Sequence, residues 1–434
     1  MSSSRASSGA RARGARGGEI ATVGGTFFVY GAIFFDRLAP LYLVGIIALE
    51  LGLPSAYEGT LALLIGLGWA AAMPIVRATA GRFGDRDRIV VAAIVAGLFS
   101  LGSALAGGWV LFVLLRGLGG IAAASGAPAA TALVFAAAPA RRRGLDLGIV
   151  QSSTRIVGSL IAPVVVTTVT VTMGWRAAMV VSGLLVIVAG LVMAGLVPGD
   201  APAKGARAPS APFELHPGGR RNVVLCILSC VLLLAWLTVW SQSAVPVVGS
   251  WLRVDADAAG RLVGLFGAGA GAAALLLPIA SDRIGRRAAL GVGSVLGGLG
   301  GLAVGVFAAM EFVPPRPVIV VALLLAGVAM GGLPLVISII PAEAVASGDV
   351  GRALLGPIAG GEVFGAAMLP ALAAMAAVPL GLPVVVGASA AGVIGLALLS
   401  ALMRPLSPVE STVEGGPDGS GHAAERRGRR ATGP

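Results

Sequence analysis

Five side chains carry charge inside stretches that are otherwise apolar enough to cross a bilayer. They are Asp36 and Arg37 in the first stretch, Arg116 in the fourth, Arg155 in the fifth and Glu362 in the eleventh. An ionisable group near the bilayer centre costs about 2.5–3.5 kcal/mol on insertion scales, so each needs a partner or a water-lined path. Ion pairs that hold helices together would meet part of that need. Three guanidiniums against two carboxylates still leave one formal positive charge, which an anionic ligand would neutralise. Arg37 and Arg116 suit a carboxylate best, because a guanidinium stays charged and its planar fork matches two oxygens. Asp36 and Arg37 are adjacent, hence about 100° apart on a helix, and cannot serve one spot. The expectation is that Arg37 faces the centre, while Asp36 faces another helix and pairs with Arg116 or Arg155. Softer candidates are Gln151, one turn before Arg155 on the same face, and Trp236, Trp240 and Gln242 in the seventh stretch. The two tryptophans fit a ligand wall or plain packing equally well.

The elements that must position these groups follow from composition. Of 434 residues 57% are hydrophobic and only 12% charged, which excludes a soluble domain with a polar surface. Apolar runs fall at 21–47, 59–80, 89–107, 109–138, 145–172, 177–198, 223–248, 259–280, 288–310, 317–341, 353–378 and 382–403. The fold class expected is an all-α membrane protein of twelve transmembrane helices in two six-helix bundles. Residues 1–20 and 405–434 read as disordered tails, 21–198 and 223–404 as the two bundles, and 199–222 as a Pro- and Gly-rich linker between them. Net charge is +11, and lysines and arginines gather in every second gap: Arg82, Arg86 and Arg88; Arg141 to Arg143; Lys204 to Arg221; Arg283, Arg286 and Arg287. By the positive-inside rule these gaps and both termini are cytoplasmic, which implies a multi-pass protein of the inner (plasma) membrane. The split of charge among short loops argues against nucleic acid as a partner. Arg141 to Arg143 could also attract anionic lipid.

Two connections repeat. PIASDRIGRR (Pro278–Arg287) and GRFGDRDR (Gly81–Arg88) each place Asp-Arg and further arginines between two apolar runs. Arg155, Gly158 and Pro163 likewise match Glu362, Gly365 and Pro370 in spacing, which pairs the fifth stretch with the eleventh. The connections resemble the loop signature GxLxDRxGRR of the major facilitator superfamily. Matching positions are Gly81, Asp85, Arg86 and Arg88 in the first copy, and Asp282, Arg283, Gly285, Arg286 and Arg287 in the second. The resemblance implies that these loops latch a gate. The first stretch, FFDRLAPLYLVGIIALELGL, is similar to the anion:cation symporter branch of that superfamily. That likeness implies Arg37 as carboxylate binder and Asp36 as proton site, with Glu362 as a second proton candidate because Ala122 to Ala124 stand where some members carry a helix 4 carboxylate.

Other chemistries lack residues. Cys226 and Cys230 sit one turn apart in an apolar run and read as core, and His216 and His422 stand alone in polar segments, so no metal and no cofactor is expected. No Walker pattern accompanies the glycines, and no nucleophile, base and orienter cluster suggests an enzyme. The function expected is secondary active transport, proton-coupled uptake of a small organic anion, with protons and membrane lipid as the other partners and no obligate protein partner. The alternative is a proton-driven drug or metabolite efflux antiporter.

Overall fold

The computed structural model describes residues 2–79, 82–139, 142–199, 219–345 and 350–404. Among these, twelve helices are long and apolar enough to cross a membrane. In chain order they are α1 Gly17–Tyr42, α2 Gly59–Val76, α3 Asp85–Ala104, α4 Trp109–Ala137, α5 Leu145–Met173, α6 Trp175–Leu196, α7 Gly219–Leu252, α8 Ala256–Ile284, α9 Arg286–Ala309, α10 Arg316–Glu343, α11 Leu354–Leu380 and α12 Leu382–Leu402. They form two pseudo-symmetric bundles of six, α1–α6 and α7–α12. The backbone of α1 is already helical from Ser2, through the stretch that reads as a tail. Extending an existing helix costs far less than nucleating one. Most of the linker and all of the C-terminal tail lie outside the described residues.

One end of the molecule gathers the start of α1 and the end of α12. Arg142, between α4 and α5, pairs with Glu19 at the start of α1 at 3.3 Å. The Asn222 amide of α7 exchanges two 2.9 Å hydrogen bonds with the Arg404 backbone just past α12. At the other end stand Trp109, Trp175 and Trp251, which donate their indole N–H groups to Thr60, Glu50 and the Phe312 carbonyl. An indole with one polar tip suits such a boundary.

The halves meet through residues without side-chain bulk. A Cβ on Gly267 of α8 would fall inside the backbone of Ser159 and Leu160 in α5, and one on Gly66 of α2 would stand 2.8 Å from the Ala367 methyl of α11. These approaches, with Gly59 against Ala371 and Gly260 against Pro163 and Thr167, run from the face opposite the termini to mid-membrane.

Three spans contain a widened π turn, at Ile156–Ile161 in α5, Leu335–Ile339 in α10 and Gly361–Met368 in α11. Each precedes a proline, and the residue four before that proline falls within the turn: Ser159 for Pro163, Ile337 for Pro341, Ala366 for Pro370. A proline lacks the N–H that this carbonyl needs and its ring crowds the same carbonyl, so the turn opens instead of breaking. Arg155 and Glu362 therefore sit at matching irregularities of two matching helices.

Candidate functional site

The angular separation of Asp36 and Arg37 sends them to different neighbours. Asp36 turns into its own half, where Arg116 Nη1 of α4 donates to Asp36 Oδ1 at 3.1 Å and Ser182 Oγ of α6 donates to the same oxygen at 2.6 Å. Arg116 also donates to the Asp36 carbonyl and, at 2.8 Å, to Ser100 Oγ of α3. Four helices are thus tied by one buried network, which takes both terminal nitrogens of Arg116, while its Nε has no hydrogen-bond partner among the described residues. Of the two cations open to Asp36, Arg116 is the one it takes.

Arg37 turns toward the other half. Its Nη1 donates to Glu362 Oε1 at 3.0 Å and its Nη2 to Oε2 at 2.6 Å, a bidentate pair between α1 and α11. The guanidinium carbon lies 4.1 Å from the Trp69 ring of α2 and 5.6 Å from Phe34, and those rings meet edge to face at 5.3 Å. A fork on one side and an aromatic face on another hold the arginine in one pose. The fork that suits an incoming carboxylate is filled here by a carboxylate of the protein.

Arg155 is different. It is 6% exposed, and its Nη1 has no hydrogen-bond partner among the described residues. Among the described residues it forms no ion pair with a carboxylate, and Tyr30, Arg37 and Tyr42 of α1 and Cys230 of α7 lie around it. Two buried pairs therefore cancel, and the surplus positive charge lies on Arg155 in the seam between the halves. An unpaired guanidinium held out of water is costly, so the arrangement favours an anion there.

The softer candidates divide. Gln151 is half-buried, one turn before Arg155. Trp236 belongs to the interior of the second half: its Nε1 donates to the Ala326 carbonyl at 3.1 Å and its ring fills the space beside Gly301. Trp240 stacks on Phe266 at 4.9 Å, yet its Nε1 has no partner among the described residues. Gln242 donates to the Pro370 carbonyl at 3.1 Å and so bridges α7 to α11. Trp69, Ser182, Tyr30 and Tyr42 were not singled out from the sequence. A signal existed for the last two, since only three tyrosines occur in the chain and two of them stand in the span that carries Asp36 and Arg37.

At the repeated connections Gly81 lies outside the described residues. Asp85 pairs with Arg88 at 3.4 Å, and Arg283 is exposed. Arg286 bridges Asp282 at 2.5 Å and Glu343 at 3.0 Å, joining the ends of α8, α9 and α10. Arg86 donates to the carbonyls of Ala194 and, at 3.1 Å, Val197, which close α6. Arg287 donates to those of Ser400 and Ala401 at 3.3 and 2.5 Å, which close α12. Helix α3 follows Gly84 as α9 follows Gly285, where φ is +87°. The structural equivalence is therefore Gly84-Asp85-Arg86 with Gly285-Arg286-Arg287, and not Asp85 with Asp282. Matching the Asp-Arg letters misplaces the first copy because the helix start, not the dipeptide, sets the register. A cavity of about 1170 Å³ lies near this second connection and shares none of the mid-membrane residues.

Comparison with known proteins gives a consistent picture. Residues 23–251 match the family model described as Major Facilitator Superfamily. A protein of Cupriavidus necator described as "Probable sulfoacetate transporter SauU" is 28% identical over 155 residues, a match spanning 36% of this chain and 36% of that protein. Among solved structures, a bacterial homologue of the human lysosomal transporter Spinster, in an inward-facing and occupied conformation, superposes with a TM-score of 0.67. Its identity is 16% over 88% of this chain and 96% of that one. A variant of the nucleoside transporter NupG gives 0.67 at 12% identity, over 89% and 99%.

Proposed function

Because the chain belongs to the Major Facilitator Superfamily, and is a multi-pass membrane transporter and not an enzyme, we propose that it carries a small organic anion together with protons by alternating access. The observation that carries this reading is the buried guanidinium of Arg155, whose Nη1 has no hydrogen-bond partner among the described residues. An anion entering the seam would take its free donor, and Gln151 stands one turn away to add a neutral one.

The proton follows from the second pair. While Glu362 is ionised, its two oxygens occupy Arg37. A proton on Glu362 removes that charge and frees the fork, so two guanidiniums then face the anion in place of one. Arg37 becomes a binder only when the proton is aboard, which ties the two fluxes together. Asp36 is the other proton candidate; its network with Arg116 is confined to the first half, where release would loosen α1 from α4 and α6. Trp240 and Gln242 would border the path from α7. The repeated arginine connections act as latches at the terminus-bearing end, and the close approaches through Gly66 and Gly267 seal the opposite end in this conformer. Residues 21–198 and 223–404 are the moving bodies. The charge pattern supports cytoplasmic termini and an inner-membrane location. The sulfoacetate relative, whose named substrate is an organic anion, supports the substrate class.

The test is accumulation of labelled acids by proteoliposomes under an imposed proton gradient, across sulfoacetate, dicarboxylic, aromatic and sugar-derived acids. Accumulation that a protonophore abolishes is expected. Gradient-driven expulsion of the acid would establish the efflux reading, and movement of no acid would end the anion reading.

A further inference from the structure

The cavity of about 1170 Å³ opens beside α9 and α12 at the terminus-bearing end of the second half. Its wall is built from Val292, Val295 and Leu296 of α9 and Ala397 and Ala401 of α12. Val292 and Leu296 are 50% and 40% exposed, on a face that no other helix among the described residues covers and that would meet hydrocarbon in a bilayer. Its head is charged. Arg286, Arg287 and Arg404 line it, with Asp282 and Glu343.

Both carboxylates are taken by Arg286, at 2.5 and 3.0 Å. Arg287 spends two donors on the carbonyls of Ser400 and Ala401, neutral acceptors that leave its charge uncompensated. The Arg404 backbone is fixed by Asn222, while its guanidinium has no hydrogen bond or ion pair among the described residues. Two cations without a carboxylate among the described residues thus stand where α9 begins and α12 ends, above an apolar wall open toward lipid. By contrast, Arg142, in the cluster that suggests lipid attraction from sequence alone, is occupied by Glu19 and Asp146.

We propose that this cavity seats one anionic glycerophospholipid, its phosphate between Arg287 and Arg404 and an acyl chain along Val292 and Leu296. Guanidiniums match phosphate oxygens, and a basic pocket between helix ends is suited to a lipid headgroup. A soluble phosphate or carboxylate would use only the head and leave the apolar wall unfilled. The lipid phosphate would sit beside the Arg286 bridge that joins α8, α9 and α10, so lipid composition would bear on that latch.

The experiment is native mass spectrometry of the full chain, delipidated in detergent and titrated with phosphatidylglycerol, phosphatidylcholine or glycerol phosphate. Arg404→Gln, which breaks no hydrogen bond or ion pair of that side chain among the described residues, and Val292→Trp, which fills the wall from the exposed side, are compared with wild type. One phosphatidylglycerol retained per chain, about tenfold over phosphatidylcholine and weakened about tenfold by either variant, is expected. Glycerol phosphate should not compete. Equal retention of both lipids, unchanged retention in both variants, or displacement by glycerol phosphate would overturn the proposal. Unchanged melting of the variants keeps loss of fold from imitating the expected result.

Discussion

Replacing Glu362 by Gln removes a charge from the bridge between the halves while keeping the side chain's shape. The pair it breaks has two charge-assisted hydrogen bonds, at 3.0 and 2.6 Å, between groups that are both buried. Removing one partner of a buried pair costs about 3–5 kcal/mol, because the other charge is left uncompensated. Gln keeps one acceptor for Arg37, and Trp69 at 4.1 Å still holds the cation, so the lower end applies. A loss of about 3 kcal/mol, roughly a hundredfold in the unfolding equilibrium, is expected. Arg37→Met should cost about as much, whereas Arg37→Met with Glu362→Met should cost less than either alone, since no charge is then stranded. Unfolding of the four proteins in mixed micelles completes the cycle. Single losses below about 0.5 kcal/mol that simply add in the double variant would show that the pair does not bind the halves together.

Gly267→Ala puts a methyl into the α5 backbone, at an overpacking cost of about 1–3 kcal/mol, and should widen the distance between spin labels on α5 and α8 at the face opposite the termini; an unchanged distance would remove the seal. Arg86→Ala and Arg287→Ala each strip hydrogen bonds from the last carbonyls of α6 and α12, and should lower stability alike, by about 1.5–3 kcal/mol. A silent Arg86→Ala beside a costly Arg287→Ala would refute the revised loop register. The Arg176 guanidinium, with Trp175 adding a second hydrogen bond, holds the Glu50 carboxyl below its usual range. A lowered carboxylate pKa stabilises above the unfolded value of about 4.3 and the gain is lost as pH falls through the folded value. The melting difference between wild type and Glu50→Gln should therefore vanish in acid; because Glu50 is half exposed, it should stay within about 1 kcal/mol at neutral pH.

The twelve spans were legible because a bilayer fixes how long an apolar helix must be, and each lies within a few residues of its apolar run. The surplus of one buried cation was legible too, being a count. Which arginine carries it was not. That depends on helix crossings, which put Asp36 against Arg116 and Glu362 against Arg37, and no spacing within one helix reports contacts between helices. Trp69 was invisible for the same reason: it matters only through the ring face it offers to α1. The π turns at Arg155 and Glu362 left a trace in the prolines that follow, whereas the loop register was obscured by a repeated dipeptide that occupies different helical positions in the two halves.

The most direct test of the account is equilibrium binding of the transported acid to purified wild type, Arg155→Lys and Arg155→Met, with melting curves as a control on fold. Among the described residues Arg155 is a buried cation with no hydrogen-bond partner at Nη1 and no ion pair, so its removal should weaken binding at least about tenfold, with Lys intermediate because it keeps the charge and loses the fork. An Arg155→Met protein that melts normally and binds the acid as tightly as wild type would contradict the account.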